Sequence, residues 1–218
     1  MNHRRLLLSI TTLFIAFSAG NTPANELNGL KNLENFVKST RTGKSDFTQT
    51  VTFPARAGEA PRVKNSSGIF EFQRPNRFKF QYKKPFDQLI LADGTSLWIY
   101  DADLNQATQR KQAAAFANTP AALIASASDL SALREQFTLE NAPDKDGLSW
   151  VSAKPKSQES TLQIVRLGFK DTALQQLDIT DSFGQRSVIN FTAMQVNLSL
   201  SADAFKFTLP PKAELLKQ

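Results

Sequence analysis

Asp101 and Asp103, two apart, are the nearest approach in this chain to a catalytic pair. At a strand end, two such carboxylates suit acid–base chemistry on a glycosidic bond, although the spacing is common on solvated strands. There is no cysteine, and the single histidine, His3, lies in a segment read below as removable. Thiol nucleophiles, Ser-His-Asp or Cys-His sites and the side chains most used for zinc are thereby missing, so neither an enzyme nor a metal or cofactor is expected. The other chemistry on offer is apolar. In the stretch FEFQRPNRFKFQY, Phe70, Phe72, Phe78, Phe80 and Tyr82 alternate with Glu71, Gln73, Arg77, Lys79 and Gln81. Seventeen Phe against two Tyr and two Trp provide large apolar surface with few polar handles. Such a face either closes a core or lines a dry hollow that takes hydrocarbon.

The elements that must position this face follow a short leader. Arg4 and Arg5 precede an apolar run from Leu6 to Ala19, shorter than the ~20 residues of a membrane span, and Gly20 to Ala24 are small or turn-forming. This is the order of an export signal, with cleavage after Gly20 or Ala24. Taking Ala24 leaves residues 25–218, which are 194 residues and suit one domain. Two of the 26 basic residues and none of the 20 acidic ones go with the signal, so the mature net charge is +4. An exported chain of this charge meets acidic partners or lipid head groups rather than nucleic acid, or is simply soluble.

Leu27, Leu30, Leu33, Phe36 and Val37 have helical spacing. Period two then predicts strands at 47–53, 69–73, 77–83, 88–92 and 96–101, with Asp93-Gly94 and Pro75-Asn76 as reversals. Lys111 to Leu133 is rich in alanine. Asn118-Thr119-Pro120 fits a helix start, and Ser128 or Asp129 caps a second short helix. Strands are expected again at 137–140, 148–153, 161–169, 174–180 and 186–191. Alternation from Met194 to Leu200, and Phe205, Phe207 and Leu209, end the series. The fold class is therefore mainly β with short helices (α+β): about 11 antiparallel strands with one face covered by helices. Small side chains such as Ala113, Ala114, Ala115 and Ala117 fill little volume, which favours a hollow beneath them.

Several stretches resemble the periplasmic lipoprotein carrier family, LolA. They are SDFTQTV at 45–51, FQRPNRFKF at 72–80, ADGTSLWIYD at 92–101, QAT at 106–108, NTPAALI at 118–124 and FKFTLPP at 205–211. Each is weak alone, but their shared order covers nearly the whole mature chain. The absence of an anchoring cysteine suits the soluble carrier rather than its membrane-anchored relative. The resemblance implies an incomplete antiparallel β-barrel under an α-helical lid, with an apolar cavity for the acyl chains of lipoproteins. It implies a monomeric periplasmic chaperone that takes cargo from an inner-membrane ATP-driven releasing complex (LolCDE-type) and delivers it to an outer-membrane receptor (LolB-type). The alternative is a related carrier or sensor of another lipid or amphiphile.

By the same resemblance, Arg74 bonds to lid backbone and holds the empty form closed, with Pro75 and Asn76 shaping its turn. Arginine's five donors suit the carbonyls at a helix C-terminus and their partial negative charge. On the sheet side of the cavity the candidates are Phe47, Phe70, Phe72, Phe78, Phe80, Leu91, Trp98, Met194 and Val196. On the helical side they are Leu33, Val37, Leu123 and Ile124. Parity within Leu97-Trp98-Ile99-Tyr100 is open, because all four are apolar or aromatic. Arg77, Lys79, Lys83 and Lys84 form either a basic rim for acidic partners or a solvated face. Ala121 and Ala122 stand where better-known members often carry bulkier apolar residues.

Overall fold

A computed structural model describes residues 28–113, 121–125 and 129–217; the leader, the helix start at 118–120 and Ser128 lie outside them. In chain order come α1 (Gly29–Ser39), β1 (Thr42–Thr52), β2 (Val63–Gln73), β3 (Arg77–Lys84), β4 (Gln88–Asp93), β5 (Ser96–Asp101) and β6 (Gln106–Lys111). Then follow α2 (Ala121–Ala125), α3 (Leu130–Gln136), β7 (Phe137–Lys145), β8 (Leu148–Pro155), β9 (Leu162–Lys170), β10 (Ala173–Asp181), β11 (Arg186–Val196) and β12 (Glu214–Lys217).

All twelve strands form one open sheet, ordered β12-β6-β5-β4-β3-β2-β1-β11-β10-β9-β8-β7. Two meanders, β1–β6 and β7–β11, meet where β1 pairs with β11, with Phe47 opposite Phe191. Among the described strands, only β12 is parallel to its neighbour, β6. The sheet does not close, because β7 and β12 are its edges.

Direct pairing of Phe70 with Phe80 and of Phe72 with Phe78 gathers the alternate aromatics on one face. Ring centroids of Phe70 and Phe80 are 4.4 Å apart, and Phe47 meets Phe80 edge-on at 5.3 Å. Inside the curve, α1 lies against β7–β10 while α2 lies over β2 and β3. Helix α1 starts where the Asn28 side chain accepts from the Lys31 amide at 3.0 Å, and it buries Leu33, Phe36 and Val37. Its first residue must be small: a Cβ on Gly29 would collide with the Trp150 carbonyl oxygen. Asp129 caps α3 by accepting from the Ala132 amide.

Residues 194–209 depart from the expected strands. Of these only Gln195 and Val196 pair, opposite Lys44 and Gly43 at the end of β11, and positive φ at Ala193 (50°) and Asn197 (58°) breaks the alternation. The chain then leaves the sheet and straps its outer face. There Phe205 is buried and Phe207 stacks on Trp98, with ring centroids 4.6 Å apart. Lys79 Nζ donates to the Ala204 carbonyl at 3.2 Å. β6 was not expected as a strand, since its glutamines and Thr108 mask the period.

Candidate functional site

The turn at Arg74-Pro75-Asn76 is where both inner helices are tied to the sheet. Arg74 is buried, and its Nε donates to the Ile124 carbonyl at 2.9 Å, in the last turn of α2. Nη1 donates to the carbonyls of Phe36 (3.2 Å), Val37 (3.4 Å) and Thr40, at the end of α1. Helix C-termini leave their last carbonyls short of intrahelical partners, although that of Phe36 also accepts from the Thr40 amide, and a cation there meets the negative end of the helix dipole. The planar fork reaches two helices at once.

The guanidinium sits between two aromatic faces, 4.9 Å from the Phe36 centroid and 5.2 Å from that of Phe72. Burial, reinforced by the neighbouring charge of Arg41, pushes its pKa down to about 10, so it stays charged at neutral pH. Backbone bonds complete the tie. The Arg74 amide donates to the Arg41 carbonyl at 2.8 Å and the Asn76 amide to the Ala125 carbonyl at 2.9 Å. Asn76 has φ of 65°, a conformation asparagine tolerates well.

Buried Gln112, just past the end of β6, braces the turn, donating to the Asn76 carbonyl at 2.7 Å and accepting from the Gly94 amide at 2.9 Å. Sequence reading missed it. A lone glutamine among polar residues gives no signal; only its place opposite the Asp93-Gly94 hairpin makes it useful.

The structure brings together most of the expected cavity residues. Leu33, Val37, Phe47, Phe70, Phe72, Phe78, Phe80, Leu123 and Ile124 share one buried apolar cluster, and Met194 packs against its margin. Phe36 and Phe191 belong to it too, unassigned in the sequence although each lies at its element's apolar period. Three expectations are corrected. Leu91 and Trp98 face each other across β4 and β5 on the outer side of the sheet, in step with Glu71 and Lys79. They are covered by the 198–213 strap, so Leu97 rather than Trp98 points inward. Val196, at the fraying end of β11, is 45% exposed.

Rings fill the turn end of the hollow. Farther along, a cavity of about 300 Å³ remains between Phe78, Phe80 and Ile90 on one side and Leu162, Leu177 and Ile179 on the other. At the end remote from Arg74 a wider cleft of about 480 Å³ opens, bordered by Lys64, Lys84, Phe86, Gln88 and Asp101. Asp101 and Asp103 form no constellation suited to catalysis: Asp101 accepts from the Leu104 amide at 3.1 Å, as a turn residue does. Among the described residues, no three His, Cys, Asp or Glu side chains stand close enough to hold a metal ion, and no helix is long and apolar enough to cross a membrane.

The class of protein is thus an open antiparallel sheet with inner helices tied over an apolar floor. The chain belongs to the family described as outer membrane lipoprotein carrier protein LolA, whose model matches residues 38–208. It is 56% identical over 211 residues to an outer-membrane lipoprotein carrier protein from Albidiferax ferrireducens, covering 95% of this chain and 98% of that one. Proteins of the same description from Leptothrix cholodnii (41% identity; 99% and 97% covered) and Methylibium petroleiphilum (42%; 94% and 95%) are also similar.

Proposed function

We propose that this protein carries lipoproteins through the periplasm, holding their acyl chains against the Phe floor after α1 and α2 part. The observation that supports this most is Arg74, one buried side chain bonded to both inner helices beside a floor of rings. When the hollow is empty, its apolar surface is covered by Leu33, Val37, Leu123 and Ile124, and Arg74, Pro75 and Asn76 act as a latch on that lid. The cavity left at about 300 Å³ is at the lower end of the ~300–1,000 Å³ of ligand pockets, so acyl chains enter by displacing the helices.

Each methylene taken from water gains ~0.8 kcal/mol, so two or three chains gain tens of kcal/mol gross. Loss of the lid's own contacts and of the latch bonds offsets much of that gain, which keeps release within reach. No bond is made or broken in this cycle, so the protein works as a carrier and not an enzyme. Residues 1–24 serve as the export signal and 25–218 as one carrier domain. An ATP-driven inner-membrane complex of the LolCDE type supplies the cargo and a LolB-type receptor takes it.

The test is to mix the purified protein with inner-membrane vesicles and ATP. Lipoproteins should appear in the soluble fraction bound to it; their full retention in the membrane pellet overturns the reading.

A further inference from the structure

Four side chains with polar groups cross the concave floor between its ring cluster and the open cleft. On β1 the inward residues run Phe47, Gln49, Val51, and Gln49 interrupts the apolar series. Its Oε1 accepts from the Tyr82 hydroxyl at 2.8 Å and from Ser66 at 3.4 Å, while its Nε2 donates to Ser187 Oγ at 2.7 Å. These residues sit on β3, β2 and β11, so the bonded belt spans four adjacent strands. Gln49 and Tyr82 border both the 300 Å³ apolar cavity and the 480 Å³ cleft. On one side of the belt the floor is Phe78 and Phe80; on the other, Lys64, Lys84 and Gln88 stand among Val51, Phe53 and Phe86. These bonds leave one Gln49 N–H and the Ser187 hydroxyl hydrogen over, which a plain hydrocarbon occupant would bury unpaired and an occupant with polar atoms at that depth would satisfy. An acylated peptide does so, at the ester and amide carbonyls that join its chains to the polar part.

We infer that the Gln49–Tyr82–Ser66–Ser187 belt is the subsite for those carbonyls and fixes the cargo's direction. Acyl chains point toward the Arg74 end, and the peptide leaves through the cleft beside Lys84 and Phe86. The second N–H of Gln49 and the hydroxyl hydrogen of Ser187 supply donors, and the cleft beyond, with about 480 Å³ and Lys64, Lys84 and Gln88 at its border, receives the peptide. This inference rests on the carrier reading and adds an orientation to it.

The full-length mature protein is loaded with either of two synthetic triacylated lipopeptides. One carries a photoreactive group at the second peptide residue, the other at an acyl terminus. The peptide-end probe should label segments 64–66 and 82–88, and the acyl-end probe should label β2 and α2 near Arg74. The opposite pattern, or equal labelling of both ends, overturns the inference while leaving the carrier reading intact. Failure of the wild-type protein to retain either lipopeptide overturns both. Gln49→Leu should weaken lipopeptide binding about tenfold, as expected for one lost neutral hydrogen bond, while binding of a plain alkyl-chain probe stays within about twofold. Ser187→Ala, a smaller change, should move both in the same directions. Equal loss for both probes in these variants would mean a structural role only and overturns the assignment.

Discussion

Arg74 and Ile124 are joined by a hydrogen bond from Nε to the carbonyl oxygen at 2.9 Å, across 50 positions of sequence. The same guanidinium bonds to the end of α1, so neither helix can leave the floor without stripping acceptors from a buried charge. Hydrogen bonds to a charged group are worth ~1.5–3 kcal/mol each, enough to bias the cover and small enough for entering acyl chains to overcome.

Arg74→Leu should therefore accept lipoprotein but hand it on poorly, because the open, loaded state is no longer disfavoured. Arg74→Lys should be intermediate, keeping the charge but losing the fork. Transfer from the loaded carrier to purified receptor, followed over time, checks both; normal handover by the leucine variant removes Arg74 from the mechanism.

The latch should be insensitive to pH between about 6 and 9. Burial and the Arg41 charge hold the Arg74 guanidinium at about 10, below its ordinary value. Below about 10 the folded and unfolded chains both keep the proton, so folding neither takes up nor releases one there and stability gains no slope from this group. Tyr82, pushed up to about 12 by burial, also stays neutral in that window. Chemical denaturation at pH 6, 7.5 and 9 should give closely similar midpoints.

Much of this was legible in the sequence because the hollow is built from strict alternation. Phe70, Phe72, Phe78 and Phe80 declare one face, and the Arg-Pro-Asn reversal sets them opposite one another. The failures share a cause. In β4 and β5 nearly every residue is apolar, since the 198–213 strap covers the outer face as the helices cover the inner. Parity there carries no information, and Trp98 and Leu91 went to the wrong side. Val196 continued an alternation that positive φ at Ala193 and Asn197 had ended. Gln112 and Gln49 were invisible because an inward-facing amide is distinguished only by its partners.

Phe70 lies at the centre of the ring cluster, within 5.3 Å of Phe191 and stacked on Phe72 at 5.8 Å. Phe70→Ala should cost ~3–5 kcal/mol of unfolding free energy, the usual range for a buried Phe. Phe86→Ala, at a residue 66% exposed on the cleft, should stay within ~0.5 kcal/mol. Comparable losses from the two, measured by urea titration, would contradict the placement of the core at the Arg74 end.

The outer face supplies an acid-sensitive contact. Buried Glu71 bonds to Lys79 and, at 3.1 Å, to Lys44. Burial alone would raise its pKa, but the two lysines outweigh it and hold the carboxyl below its ordinary value. For an acid with a lowered folded pKa, the added stability is complete above the ordinary carboxylate value and fades as pH falls through the folded one. Glu71→Gln should cost ~1.5–3 kcal/mol at neutral pH, as for a charged hydrogen bond, and nearly nothing well below pH 4. Thermal melts of both proteins across pH 3–7 would therefore converge in acid; curves that stay parallel would show that Glu71 contributes by packing alone.

Gly29 tests the seating of α1. A Cβ on it would collide with the Trp150 carbonyl oxygen, so any side chain must push the helix off β8. Alanine normally favours a helix over glycine by up to ~1 kcal/mol, so propensity alone predicts that Gly29→Ala stabilises the protein. The collision is with backbone, which cannot rotate aside, and such overpacking typically costs ~1–3 kcal/mol. The second effect is the larger, so the variant should be less stable, and α1 should shift relative to Arg74 and weaken the latch bonds at Phe36 and Thr40. Loaded Gly29→Ala should then resemble a mild Arg74 variant in handover. An increase in melting temperature with unchanged transfer would show that α1 does not rest on β8 as described.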